Sequence, residues 1–378
     1  WELAAVRTGV RMCRFAPVAT LAIVSLAFVP RAWAYGEEVD GYPSMEERQI
    51  HLFTDMLRVE PMAFWDGEGE YEARRPLIYN GDLNHAAYEF AHDMRINGCW
   101  NADHSSCDGT SFEDRVSAHY PDYVAIGENI AMGYTTAEGV VFEGWLYSDG
   151  HRTNMLHAAW NELGTGYDAG GSGGPWYVQD FGSRGGVDEP YLTSGAHWPH
   201  LAPQGMPLDF NVAYYDPAGE PPESVWVAVD TNCFEMELSY GSEASGIYNW
   251  QLPEVVDEGC VKYAFVAELA DGHEVRLPGE GSLIARYGAA ECDDYDASPP
   301  PSPCTPGDDD AVGGCAAAEP RGCETGTDGD VHTENEVDST EYGTCSQGRR
   351  PLPGRGNAAF VLTGGLLLAV RRLVRSRR

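Results

Sequence analysis

The apolar and polar positions change period along the chain. Ser44-Met45-Glu46-Glu47 has the form of a capping box, in which the hydroxyl and the carboxylate three positions on bond each other's backbone N–H. Ile50, Phe53 and Leu57 then fall on one helical face. A second helix is expected with Asp82 as its cap. It would bury Leu83, Ala86, Ala87, Phe90, Ala91 and Met94, and Gly98 would stop it. Thr110-x-x-Glu113 and Thr135-x-x-Glu138 are further capping boxes, the latter opening a helix between Thr136 and Tyr147. After Leu156 the period becomes two. Leu163, Thr165 and Tyr167, the Gly-rich stretch 170–174, then Tyr177, Gln179 and Phe181 predict a hairpin. Residues 35–184 thus read as one domain mixing helices with a small antiparallel sheet, large enough for one core.

Residues 185–205 carry Gly and Pro without period and read as a linker. From 206 to 291 the signals are all strand: Val225–Val229, Glu235–Leu238, Tyr263–Ala267 and Ser282–Arg286, with turns about every ten residues. That predicts a small β-sandwich of immunoglobulin-like type. Residues 292–350 hold Pro, Gly, acidic residues and Cys with few large apolar side chains, as expected of a disordered or disulfide-knotted stalk. The fold class is α+β.

The two ends follow another logic. Arg7, Arg11 and Arg14 precede an apolar run from Phe15 to Val29, and Ala32-Trp33-Ala34 follows. Residues 1–34 therefore read as a secretory signal peptide cut before Tyr35, with Met12 a candidate start. The run is short for a membrane span, the competing reading. Within 351–378, Ala358–Val370 is apolar and is followed by Arg371, Arg372, Arg375, Arg377 and Arg378, with Cys345 upstream. The Arg cluster would hold this end on the inner side of a membrane. Cysteine, short apolar segment and terminal arginines together resemble the MYXO-CTERM sorting tail of myxobacterial surface proteins, which implies processing near Cys345 and surface attachment. A plain tail anchor is the alternative.

Charge removes one function class. The chain has 59 acidic against 24 Lys and Arg residues, a net charge of −35, and Lys262 is its one lysine. No basic footprint for nucleic acid exists. In an exported chain cysteines tend to pair. Cys99 with Cys107 and Cys233 with Cys260 are the near pairs, and no C-x-x-C zinc spacing occurs.

The candidate chemistry lies at expected helix boundaries. His104 sits in a short loop that Cys99 and Cys107 could close. Glu128 lies in Gly-Glu-Asn and His151 in Gly-His-Arg. The segments HSSCDG, GENIA, GWLYSDGHRTNML and WYVQDFG, in that order, resemble the bacterial branch of the CAP superfamily, the SCP-like extracellular proteins, across roughly 44–184. The resemblance implies an α-β-α sandwich with two His and two acidic residues lining a cleft, the His pair able to hold a divalent metal. Carried over by motif, these are His104, Glu128 and His151. The second acid expected one turn after Trp145 is replaced by Ser148. Glu143 precedes the Trp and Asp149 is unaligned. Two imidazoles would make a loose site for Zn²⁺ or a similar ion, short of the three protein ligands of catalytic zinc, with Glu128 as outer partner or base. Gly170-Gly171-Ser172-Gly173-Gly174 matches G-x-S-x-G in form but lies in a hairpin loop, and Ser172 reads as turn.

Three functions compete. One is a non-catalytic extracellular module binding a lipid-like or protein ligand. Another is a metal-dependent hydrolase acting on peptides through Glu128, and the third an envelope protein with a vestigial cleft. N-terminal sequencing of exported protein is expected to read from Tyr35. A mature chain retaining residues upstream of Ala32 would refute the cleavage.

Overall fold

The structure, a computed structural model, describes residues 43–298 except 172, 204, 253–257 and 289–291. The expected signal peptide, Ser172, nearly all of the stalk, Cys345 and the terminal apolar segment lie outside the described residues. No helix among the described residues is long and apolar enough to cross a membrane.

The first helix, α1 (Met45–Val59), opens on the expected capping box: Ser44 accepts from the Glu47 N–H, and Glu47 accepts from Ser44. Nearly every α1 residue is buried. The second helix, α2 (Gly81–Asn97), is capped by Asn80 rather than Asp82. Asn80 accepts from the Leu83 N–H at 3.0 Å, and left-handed Gly98 ends the helix as expected. The third, α3 (Phe112–His119), is capped by Ser111 rather than Thr110. In both places two nearby residues could cap, and tertiary position selects between them.

A four-stranded sheet has the order β1-β3-β4-β2, from β1 (Ile78–Tyr79), β2 (Ala125–Met132), β3 (Glu162–Asp168) and β4 (Trp176–Ser183). The expected hairpin is β3–β4. β2 pairs antiparallel with β4 at one edge, so Gly-Glu-Asn lies within a strand rather than at a helix boundary. α2 packs on β3 at backbone distance. A Cβ on Gly164 would stand 2.1 Å from the Asn84 nitrogen, and one on Gly166 2.3 Å from the Ala87 carbonyl. Strand residues two apart share a face, so this pair of glycines makes the seat for the helix.

The stretch expected to be a linker contains β5 (Tyr191–Trp198). It heads a second antiparallel sheet, β5-β6-β10-β9, with β6 (Leu208–Tyr215), β9 (Glu237–Ser242) and β10 (Ser245–Leu252). A third sheet runs β14-β13-β11-β7-β8, with β12 also on β11. Its strands are β7 (Ser224–Val229), β8 (Asn232–Glu235), β11 (Gly259–Glu268), β12 (Glu274–Leu277), β13 (Ser282–Tyr287) and β14 (Tyr295–Asp296). The two sheets share one buried core containing Phe210, Val212, Val227 and Phe265. α1 touches both the first sheet and β5, β6, β9 and β10 of the second. The chain is therefore mixed α/β, its extra sheets sharing a helix with the first part instead of following a free linker.

Cys99 and Cys107 are bonded as expected. Cys260 is bonded to Cys292, not to Cys233, which is itself in a disulfide. The register explains this. Cys233 stands opposite Ala228 on β7, and Ala228 stands opposite Ala264 on β11. Cys260 is four residues further along, about 13 Å at strand rise, beyond disulfide reach.

Gly166→Ala is expected to cost about 1–3 kcal/mol through overpacking. Gly150→Ala, where a Cβ meets nothing within 4 Å, should be neutral. Thermal melts of the two variants compare the costs. Equal melting temperatures would refute the helix seat.

Candidate functional site

The candidate residues gather on both faces of β2. Glu128 lies directly opposite Asp180 of β4, and both are buried. Residues on alternate faces of a strand separate the chemistry. Glu128 shares a face with Ile130, which packs with Phe90 and Met94 of α2, whereas Asn129 faces the other way.

Both oxygens of Glu128 are engaged. Oε1 pairs with His104 Nδ1 at 2.8 Å, and Oε2 accepts from the Arg115 guanidinium at 2.5 Å. Arg115 lies 3.6 Å over the Phe90 ring and also donates to the His104 carbonyl and the Ser106 hydroxyl, each at 3.1 Å. His104 has a positive φ of 62°, a conformation a non-glycine residue adopts at a cost. Several bonds hold it there: Cys99–Cys107 closes the loop, Asn101 Nδ2 donates to the Ser105 and Ser106 carbonyls, and Arg115 takes the carbonyl of His104 itself. Pairing of Nδ1 with the carboxylate fixes the neutral tautomer and leaves Nε2 as the free lone pair.

Asp180 was invisible to the periodic reading. Neither of its oxygens has a hydrogen-bond partner; Glu128 stands directly opposite it on β2. Two buried carboxyl groups side by side cannot both ionise at low cost. Burial pushes both above the ordinary carboxylate range, and the charge of Glu128 pushes Asp180 further. Arg115 opposes the rise at Glu128 and is hydrogen-bonded to it alone of the pair. The proton therefore resides on Asp180 and the negative charge on Glu128.

On the opposite face, Asn154 Nδ2 donates to the Glu128 carbonyl and to Asn129 Oδ1, each at 3.1 Å. Asn129 Nδ2 donates to Gln179 Oε1 at 3.0 Å and to the His151 carbonyl at 3.2 Å. Trp145 Nε1 donates to the Ile130 carbonyl at 3.2 Å. These bonds staple α4 (Asp149–Met155) along β2. The expected helix 136–147 is instead a wider π-helical segment, Gly139–Trp145, and a new helix starts after Ser148. His151 thus lies in the first turn of α4, not beyond a helix end. Counting one α-turn on from Trp145 fails across this break. Ser148 is the N-cap of α4, its hydroxyl makes no capping bond, and Glu143 is exposed. The acid that does stand beside Glu128 is the fully buried Asp180, on the neighbouring strand.

The His104 ring meets β2 on the face of Glu128, and the His151 carbonyl meets it on the face of Asn129. Burial lowers the pKa of both; Arg115 lowers His104 further, and His104 lowers His151. As a metal centre the cleft offers two imidazoles. Among the described residues they join no group of three side-chain donors within 4.8 Å. The Glu128 oxygens are taken, and Arg115 disfavours added positive charge. The cleft residues fit a resident divalent ion poorly.

An acid whose folded pKa is raised stabilises fully below its unfolded value, and that stability is lost as pH rises through the folded value. Asp180→Asn removes the titration and keeps a donor toward Glu128. Its stability relative to wild type is expected to grow as pH rises from 5 to 8, read from urea midpoints. A difference independent of pH would refute a protonated Asp180. Arg115→Met leaves Glu128 buried without its cation and should cost about 3–5 kcal/mol at neutral pH.

Residues 71–181 match the CAP family model, described as the cysteine-rich secretory protein family. The chain is 31% identical over 138 residues to the uncharacterized membrane protein YlbC of Bacillus subtilis, across 36% of this chain and 34% of that one. It is 33% identical over 107 residues to the uncharacterized protein YkwD of the same organism, across 28% and 40% of the two chains. This chain therefore spans between a third and two fifths of the length of these relatives. A solved extracellular protein containing a SCP domain from Bacillus anthracis is 29% identical, covering 30% of this chain and 34% of that one with a TM-score of 0.25. The segment that places His104, Arg115, Glu128, His151 and Asp180 around one strand lies within the stretch that matches the CAP family model.

Proposed function

We infer that the protein is an exported, surface-held binding module whose cleft takes an amphiphilic, lipid-like ligand without turning it over. One observation carries this reading: Glu128, the residue a hydrolase would need as base, has both oxygens engaged by His104 and Arg115 and is almost wholly buried. It orients an imidazole instead of facing a substrate. Half-buried His104 and His151 then offer hydrogen bonds to a polar head group. Exposed Trp100 and Met132 supply an apolar surface alongside. Met132 stands opposite Trp176, and Trp100 lies 6.2 Å from the Trp176 ring. Met132 shares a face with Glu128 four residues away, about 13 Å along the strand. A polar contact at one end and an apolar one at the other suit a molecule with a head and a short hydrocarbon body.

Export and attachment rest on the basic-apolar pattern of residues 1–34 and on Cys345 with the arginine-ended tail, which would leave the domain outside the membrane. A peptidase reading has one observation in its favour. The Glu128–His104 pair leaves Nε2 as a base or metal ligand.

Organic extraction of full-length protein purified from membranes is expected to release bound lipid. His104→Ala with Trp100→Ala should lower its amount about tenfold or more. Incubation with a peptide library, with and without Zn²⁺, should give no cleavage. Zinc-dependent cleavage abolished by Glu128→Gln would overturn the binding reading in favour of the peptidase.

A further inference from the structure

We propose that His85, Glu89 and His119 form a binding site for a divalent transition ion of the zinc class, separate from the cleft. His85 and Glu89 are one helical turn apart on α2, and His119 is the last residue of α3. His85 Nε2 and His119 Nε2 each lie 2.9 Å from a different oxygen of the Glu89 carboxylate. The two rings stack with centroids 4.4 Å apart. Three ligand atoms from three side chains therefore converge within 4.8 Å. The other such group, Asp93 with Cys99 and Cys107, has its sulfurs consumed by the disulfide.

The donor set is the argument. Two imidazoles and a carboxylate are borderline ligands that suit zinc and its neighbours better than calcium or magnesium. Three protein ligands with a fourth position left to water is the count that tetrahedral zinc accepts. With metal–ligand distances of about 2.0–2.2 Å, neighbouring donors in a tetrahedron stand roughly 3.4 Å apart, so each 2.9 Å contact need open by only about half an ångström. In the metal-free arrangement each Nε2–H donates to Glu89. Binding requires the proton on Nδ1 instead, after which both Nε2 lone pairs and the carboxylate face the ion. The side chains of His85, Glu89 and His119 are 33%, 50% and 26% exposed, so an ion can reach them without opening the fold. Burial pushes the Glu89 carboxyl up, but the hydrogen bonds and charges of His85 and His119 together hold it below the ordinary range. A single ion of charge +2 would stand where the two imidazoles now meet the carboxylate. It would also tie α3 to α2 beside Arg115, the α3 residue that holds Glu128.

The full chain, stripped of metal with chelator, is titrated with Zn²⁺ by calorimetry, and Co²⁺ is followed by its visible absorption. Wild type should show one site distinct from weak carboxylate binding, with an intense tetrahedral cobalt spectrum. His85→Ala with His119→Ala, and separately Glu89→Gln, should weaken Zn²⁺ binding by about tenfold or more and erase the spectrum. The side chains are partly exposed, so folding is retained and checked by circular dichroism. His104→Ala with His151→Ala should leave both signals unchanged. Zinc affinity within twofold of wild type in the His85/His119 double variant, or a cobalt spectrum lost only in the His104/His151 variant, would overturn the proposal. Neither result depends on whether the cleft binds lipid.

Discussion

The arrangement rests on burying a polar helix. α1 is covered on all sides, although Glu47, Arg48, Gln49, His51, Thr54, Asp55 and Arg58 are among its buried residues. A buried polar group without a partner costs more than most single contacts return, so each of these side chains dictates what packs beside it. Asp55 accepts from the Leu77 N–H and from the hydroxyls of Thr193 and Ser194 on β5. Gln49 donates to the His197 carbonyl of β5. Thr165 and Tyr167 of β3 donate to Glu47. Arg58 donates to the carbonyls of Arg75, Met155 and His157. Removing β5 would leave a buried carboxylate short of two donors, which is why the presumed linker is strand and the second sheet is welded to the first.

The cleft inherits its rigidity from the same helix. Asn154, Asn129 and Gln179 form a chain of side-chain amides that ends on Thr54, whose hydroxyl donates to the Ile50 carbonyl within α1. Each amide comes from a different recognised motif: R-T-N, G-E-N and V-Q-D. Their common task is to hold α4 against β2, and hence to fix where His151 stands relative to His104. Arg58 closes the circuit at the far end of α4 through the Met155 carbonyl.

His104, Glu128 and the Cys99–Cys107 loop were legible because short motifs keep their order and spacing whatever the fold does around them. The hairpin was legible because Leu163, Thr165 and Tyr167 alternate, and α2 because Leu83, Ala86, Ala87 and Phe90 keep a strict helical period. Asp180 was not, for a physical reason. β4 is buried on both faces, so alternation carries no information there, and a carboxyl on the second face looks like an ordinary outward residue. Arg115 sits in a short helix whose own pattern does not say what its guanidinium reaches. Ser148 was assigned by counting α-helical turns across a π-helical segment, where the count does not hold. Pairing Cys233 with Cys260 required a sheet register that no local pattern contains.

A buried Glu128 needs a nearby cation. Arg115 supplies it, and the same charge lowers the pKa of His104 and works against a metal ion beside it. Asp180 can then stay only as the neutral, proton-bearing member of the carboxyl pair. The cleft is thereby brought close to electrical neutrality at its floor, with two largely uncharged imidazoles at its rim. A neutral polar group and an apolar body gain from such a surface, because neither must shed a strongly bound hydration shell to enter it. A divalent ion must shed one, and here it would meet a guanidinium. At His85 and His119 the carboxylate between the rings is paired with those two histidines, so the same chemistry that disfavours an ion in the cleft favours one on the outer face of α2.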